Sequence, residues 1–346
     1  MSKRMNKKVI LLTVLGTGLA FGLTAGCGTG SNIQTRNINP PSPSYEPGLI
    51  NLDSCNRDVV IRRAGAYSLS GALNNHSVIV DTVTGTTTLI LKNARIVNDN
   101  SAAVIGTSGD KLIINSKENT VNTIFSGNKE QEYDGAVFSR VPLTFKGGGS
   151  LSVTGQYRQG ICAVNQDIIF QEGNYNIVSL GDGVCTEGER SKDLIFNGGT
   201  IYIKSFDNGI DSNGKAEFNG ADIYVTGSEN GDAGIDTEDG YTVNGGRIIS
   251  LGSNIEIAGE DSRQYTMCFV FDAYYEAGSK VVLNDSKGNE IIAFEADERF
   301  KNLVLSDKEL TEDTYTLYIN GSAVSVGGHS EFEITQSVNV YGSVKQ

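Results

Sequence analysis

The chain has 346 residues, a formal charge of −13 and 38% hydrophobic side chains. Glycine accounts for 42 positions, proline for 5 and tryptophan for none. This composition excludes helical bundles and coiled coils, which draw on Ala, Leu, Glu and Lys, and the apolar content excludes wholesale disorder. The acidic balance excludes nucleic acid as a partner, because phosphate backbones repel a polyanion.

Residues 1–27 read as a targeting segment rather than part of the fold. Lys3, Arg4, Lys7 and Lys8 form a basic start, and Val9–Leu23 is an apolar run of 15 residues, short for a bilayer span of about 20. Leu23-Thr24-Ala25-Gly26-Cys27 then resembles a bacterial lipobox. That resemblance implies a lipidated Cys27 and an envelope lipoprotein held at the membrane surface. An ordinary secretory signal cleaved nearby is the alternative. Residues 28–48 contain Pro40, Pro41, Pro43 and Pro47 and read as an extended tether.

From residue 49 short strands follow one another. Ala66–Gly71, Ser77–Asp81, Thr87–Leu91, Ala94–Asn98 and Lys111–Asn115 all carry β-type patterning. A repeat then becomes visible. Gly135-Ala136, Gly160-Ile161, Gly183-Val184, Gly209-Ile210 and Gly234-Ile235 are spaced 25, 23, 26 and 25 residues apart. Between them Gly148-Gly149-Ser150-Leu151, Gly198-Gly199-Thr200-Ile201, Gly220-Ala221-Asp222-Ile223 and Gly245-Gly246-Arg247-Ile248 open runs that alternate apolar and polar residues. About three short strands per period, with no helix between them, predict an all-β, right-handed parallel β-helix over 49–261. A β-sandwich needs antiparallel returns and keeps no such period. Residues 262–346 lose the glycine marker and read as a C-terminal β-strand unit, with Asp285–Asn289 as a hairpin turn.

In a parallel β-helix, equal offsets in successive rungs stack about 4.8 Å apart. Asp207, Asp211 and Asn213 therefore stack on Asp232, Asp236 and Glu238, with Asp182 and Glu187 as a weaker third set. Carboxylates about 5 Å apart repel by roughly 1–3 kcal/mol at intermediate dielectric. A hard divalent cation removes that conflict, and an all-oxygen set suits Ca²⁺; a solvated acidic face is the alternative. Cys162 and Cys185 share an offset and are read as a disulfide or as stacked thiols. Tyr202 and Tyr224 share another, on the outer face, as a sugar-binding platform or as cross-strand stabilisers. His76 and His329, the only histidines, read as surface residues.

The rungs resemble the carbohydrate-binding-domain-containing, calcium-dependent β-helix family of bacterial cell-surface proteins, similar in fold to pectate and other polysaccharide lyases. The resemblance runs from about Val59 to Ser322. It is carried by Val59–Gly71, Leu89–Ile96, Gly149–Gly155, the Asp-x-Gly-Ile-Asp turns at Asp207–Asp211 and Asp232–Asp236, and the terminal Gly288–Phe294 and Thr314–Tyr318. It implies binding of cellulosic or pectic polysaccharide with bound calcium. Two other functions stay open at this point. One is a lyase acting by calcium-assisted β-elimination, for which Arg158, Arg190 and Arg247 are candidate bases. The other is a non-catalytic structural or adhesive envelope protein.

Overall fold

A computed structural model describes residues 44–343. The targeting segment, Cys27 and most of the tether lie outside the described residues. The fold already begins at Ser44, which bridges to Val60, while Glu46 pairs with Arg63 at 2.6 Å. The last residues of the stretch that composition reads as tether are thus held against the first rung. Strand Gly48–Asn51 pairs with Gly65–Asn74, and Leu52, fully buried in the 3-10 turn Leu52–Ser54, closes that end of the core.

The chain winds as a parallel β-solenoid with three strands per turn. In one turn these are Val184–Glu187, Leu194–Phe196 and Thr200–Ser205. In the next they are Ile210–Ser212, Ala216–Phe218 and Asp222–Thr226. Each strand pairs in parallel with its counterpart one turn later. Val184 aligns with Ile210 and then Ile235, and Ile201 with Ile223 and then Ile248. The first face is a sheet of eight strands, from Val59–Ile61 to Ile235–Thr237. The other two faces merge into one sheet because the early strands Gly65–Asn74 and Thr86–Asn98 run through both. Asn93, at φ 54°, lies within the second of these; asparagine tolerates this left-handed conformation better than most residues.

The period is written in glycine for two different steric reasons. Gly183 and Gly209 sit where rungs touch. A Cβ on Gly183 would lie 2.2 Å from Ile203 Cγ2 and 2.5 Å from the Gly209 carbonyl; one on Gly209 would meet Val225 Cγ2 at 2.1 Å. Gly199, by contrast, takes φ +97° at the corner between the second and third faces, a conformation that costs glycine least.

Alternation sends Ile201 and Ile203 inward and leaves Tyr202 and Lys204 half-buried outside. The interior carries a ladder of rings. Phe145, Phe170, Phe196 and Phe218 stack with centroids 4.8, 5.2 and 5.1 Å apart, and Tyr241 ends the ladder edge-on at 5.8 Å. Offset aromatic pairs contribute about 0.5–1.5 kcal/mol beyond their burial.

After Arg247–Gly252 the parallel pattern stops. That strand pairs antiparallel with Phe300–Asp307, which pairs antiparallel with Thr266–Tyr275, which in turn pairs with Val338–Tyr341. The open edge left by the last full turn is thereby hydrogen-bonded within the chain, which removes a template for aggregation. Lys280–Asn284, Glu290–Glu295 and Thr314–Ile319 form a separate antiparallel sheet, with a hairpin at Asp285–Asn289. Asp285 Oδ1 accepts the Lys287 and Asn289 amides there. Its side, with Met267, Phe269, Phe300 and Phe332, makes a second apolar core beside the solenoid. Among the described residues there is no α-helix.

Candidate functional site

The Gly-Ile-Asp turns place their acids along one edge of the first face. The register Cys185↔Asp211↔Asp236 holds as offset counting predicts. Because Ile210 and Ile235 point into the core, Asp211 and Asp236 point away from it. The most enclosed acid of this edge is Asp182, at 7% exposure. Its Oδ1 accepts the Asn208 amide at 3.1 Å, and its Oδ2 lies 3.5 Å from Gln159 Nε2. Burial, with Asp211 and Asp207 close by, pushes its carboxyl up to about 8. Asp182 was expected as the weakest member of the set, since its rung is less acidic. In the structure it is the most enclosed of these acids.

Glu256 completes the edge, and offset counting missed it. It comes from the segment after the last regular strand, where Asn254 bridges to Ala233. Thr237 Oγ1 donates to its Oε1 at 2.7 Å, while its Oε2 is buried with no partner. Burial, with Asp236 and Asp211 nearby, pushes Glu256 up to about 7. Asp211 thus sits in the field of both enclosed carboxyls. An all-oxygen donor set with one orphaned buried oxygen and two strained acids is what a hard cation relieves.

The remaining expected ligands have different surroundings. Asn213 donates from Nδ2 to the Gly188 and Arg190 carbonyls, both at 3.0 Å, and its Oδ1 accepts the Lys192 amide. Its amide is fully occupied in clamping the neighbouring loop, which removes it from a metal shell. Glu238 is exposed at the far end of the turn, and Asp232 lends its carbonyl to the Ser253 and Asn254 amides. Glu187 reaches the thiols of Cys162 and Cys185, which are free and buried, while staying in the field of Asp182. His329 is exposed, and His76 lies 3.6 Å from Asp58.

The tyrosine pair needs a larger correction. Tyr202 and Tyr224 do stack, with centroids 5.5 Å apart and planes 6° from parallel. They do not form an open platform. Both hydroxyls donate to the carboxylate of Asp297, and Phe294 packs edge-on against Tyr224 at 5.9 Å. Burial pushes both phenols above their usual range. The C-terminal strands cover the outer face at these rungs, so the pair serves as a docking surface within the chain.

Exposed apolar side chains occur instead at the corner before the acidic edge. The register Gly155↔Ser179↔Ser205 brings Leu180 and Phe206 to successive rungs, at 52% and 56% exposure. Phe206 directly precedes Asp207, and Tyr157 stands one rung before Gly181 with Arg158 5.5 Å above its ring. A signal was present in the sequence: Leu180 and Phe206 each follow a strand-ending serine, 26 positions apart.

The sequence is similar to known proteins. A family model described as carbohydrate-binding domain-containing protein matches residues 55–270. A relative of the same description from Acetivibrio thermocellus is 24% identical over 263 residues, covering 64% of this chain and 91% of the relative. A solved structure, the polysaccharide lyase-like protein from C. thermocellum as its gadolinium derivative, aligns at 22% identity with a TM-score of 0.47, over 57% of this chain and 98% of that one. With more than half of its length matched, this β-solenoid belongs to the carbohydrate-binding domain-containing family.

Proposed function

We propose that this protein is an envelope-anchored, polysaccharide-binding β-solenoid whose acidic edge holds calcium. The observation that carries the reading is the convergence on Asp211 of two enclosed carboxyls, Asp182 and Glu256, beside an exposed apolar corner. Family membership supports a carbohydrate ligand. Asp182, Asp207 and Asp211 toward one end of the edge, and Asp211, Asp236 and Glu256 toward the other, would hold calcium, which supplies positive charge at an otherwise repulsive edge. Leu180 and Phe206 offer an apolar surface to the C–H face of sugar rings. A pectic chain adds carboxylates drawn to a cation-loaded edge, whereas a cellulosic chain relies on stacking and hydroxyl contacts.

A lyase of this type needs a side chain free to face the sugar and take its α-proton. Arg158 is paired with Asp134 at 3.2 Å, and Arg247 with the buried Asp307. Arg190, the third candidate, is exposed, so the pairings favour binding over catalysis at Arg158 and Arg247.

The test is a polysaccharide array probed with the chain from residue 28 onward, with and without EGTA. Binding of uronate polymers that EGTA abolishes is the expected result. Absence of any glycan signal with calcium present leaves the structural or adhesive role, and release of unsaturated sugars establishes a lyase. For the anchor through Cys27, the Cys27→Ser chain should leave the membrane fraction; retention there refutes lipidation.

A further inference from the structure

We propose that Cys162, Cys185 and Glu187 form a binding site for a borderline-soft divalent cation of the Zn²⁺ class, beside the oxygen-only edge and distinct from it in donor type. The two cysteines are register partners on adjacent rungs of the first face. Parity points them outward, yet both are buried, in a small cluster with Ala102, Ile105 and Phe138. Tyr133, from the long connection between Val121–Ser126 and Gly135–Ser139, covers this cluster and lies 4.9 Å from the Phe138 ring. Both sulfurs and a Glu187 oxygen lie within 4.8 Å of one another, with Cys185 Sγ 3.7 Å from Glu187 Oε1. Zinc binds thiolate at about 2.3 Å and carboxylate at about 2.0–2.2 Å, so modest side-chain rotations close this triangle on an ion.

A second observation points the same way. Gln159 is only 9% exposed, and its Nε2 donates to Glu187 Oε1 at 2.9 Å. Its Oε1 is buried and has no partner. A half turn of this amide keeps its volume; once an ion neutralises Glu187, it presents that oxygen to the triad as a fourth donor while Nε2 gives up its bonds to Glu187 and Asp182. A purely structural thiol pair in an apolar cluster explains neither the carboxylate nor the orphaned amide oxygen. Burial pushes Cys185 well above the usual thiol range and raises Glu187. The two thiols therefore carry their protons at neutral pH without an ion. Loading converts two thiols and M²⁺ into a dithiolate complex and two protons released to solvent. Thiolate ligands select Zn²⁺ over Ca²⁺, which separates this site from the neighbouring edge.

The test uses the full chain, purified in detergent, reduced and stripped of metal. Titration with Co²⁺ should give one sulfur-to-cobalt charge-transfer band per chain, which Zn²⁺ quenches and excess Ca²⁺ does not. Cys162→Ser and Cys185→Ser should each remove the band, and Gln159→Leu should weaken cobalt binding by roughly 10- to 100-fold. Should the serine variants misfold by circular dichroism, the parent chain still decides, because Zn²⁺ uptake should release about two protons per ion. A folded, reduced parent that shows no charge-transfer band, or that takes up Zn²⁺ without proton release, overturns the site. So does a band that survives in the folded Cys162→Ser, Cys185→Ser double variant.

Discussion

The hydroxyl of Tyr224 donates to Oδ1 of Asp297 at 2.7 Å, across 73 residues of sequence. The same carboxylate takes the Tyr202 hydroxyl, and the Asp297 amide donates back to the Tyr224 oxygen at 3.1 Å. Beside this contact Lys204 pairs with Glu298 at 2.5 Å. A hydrogen bond to a charged group contributes about 1.5–3 kcal/mol. Asp297→Ala should therefore lower stability by about 2–4 kcal/mol in denaturant unfolding, and Tyr224→Phe by about 1 kcal/mol. Polysaccharide binding should be unchanged in Tyr224→Phe. Loss of binding without loss of stability would return the tyrosines to the ligand site.

The enclosed carboxyls set a pH dependence. Asp182, facing Asp207, Asp211, Glu187 and the Asn208 amide, is raised from 3.8 to about 8. Glu256 is raised from 4.5 to about 7. A raised folded-state value means that the native chain binds the proton more tightly than the unfolded chain. Stability is then lost as pH rises from about 4 to about 8, where the unfolded chain has released its protons and the native chain must follow. In EGTA the melting temperature should fall across this range. Calcium should restore the upper end, because an ion bound only by the folded state stabilises it. Asp182→Asn should flatten the EGTA curve. A curve in EGTA that rises with pH contradicts the assignment.

Asp211→Asn and Asp236→Asn separate an ion site from a merely solvated edge. Without calcium, each change relieves repulsion and should stabilise slightly or do nothing. With calcium, each should weaken affinity roughly tenfold, or about 1.4 kcal/mol, and the double variant should lose most binding. Asp222→Asn, exposed on another face, is the control. Isothermal titration of the parent and the four variants reads the difference, and equal calcium affinities throughout would remove the edge as an ion site.

Phe206 carries the proposed sugar contact. Its side chain is more than half exposed, so Phe206→Ala should shift stability by less than about 0.5 kcal/mol. It should weaken polysaccharide binding by up to roughly tenfold, in keeping with about 0.5–1.5 kcal/mol for an aromatic contact. Leu180→Ala should have a smaller effect in the same direction. Retention of full affinity in the Phe206→Ala, Leu180→Ala double variant would place the sugar elsewhere.

The solenoid was legible because its period has a local steric cause. Gly183 and Gly209 leave no room for a Cβ between rungs, and Ile201-Tyr202-Ile203-Lys204 alternates with the strand pleat. The column Cys185, Asp211, Asp236 followed from the same count, since equal offsets must stack when every turn repeats. What an outward position meets is another matter. Parity sends Tyr202, Tyr224, Cys162 and Cys185 away from the core, but only the folded chain brings Asp297 over the tyrosines and Tyr133 over the cysteines. Asp182 is the most enclosed acid of the edge, and Glu256 joined it from beyond the last regular strand. Short-range repetition thus determined the rungs and the order of their side chains. Which outer surfaces stay open to a ligand was decided by segments far along the chain, because burial depends on what docks and repetition carries no record of that.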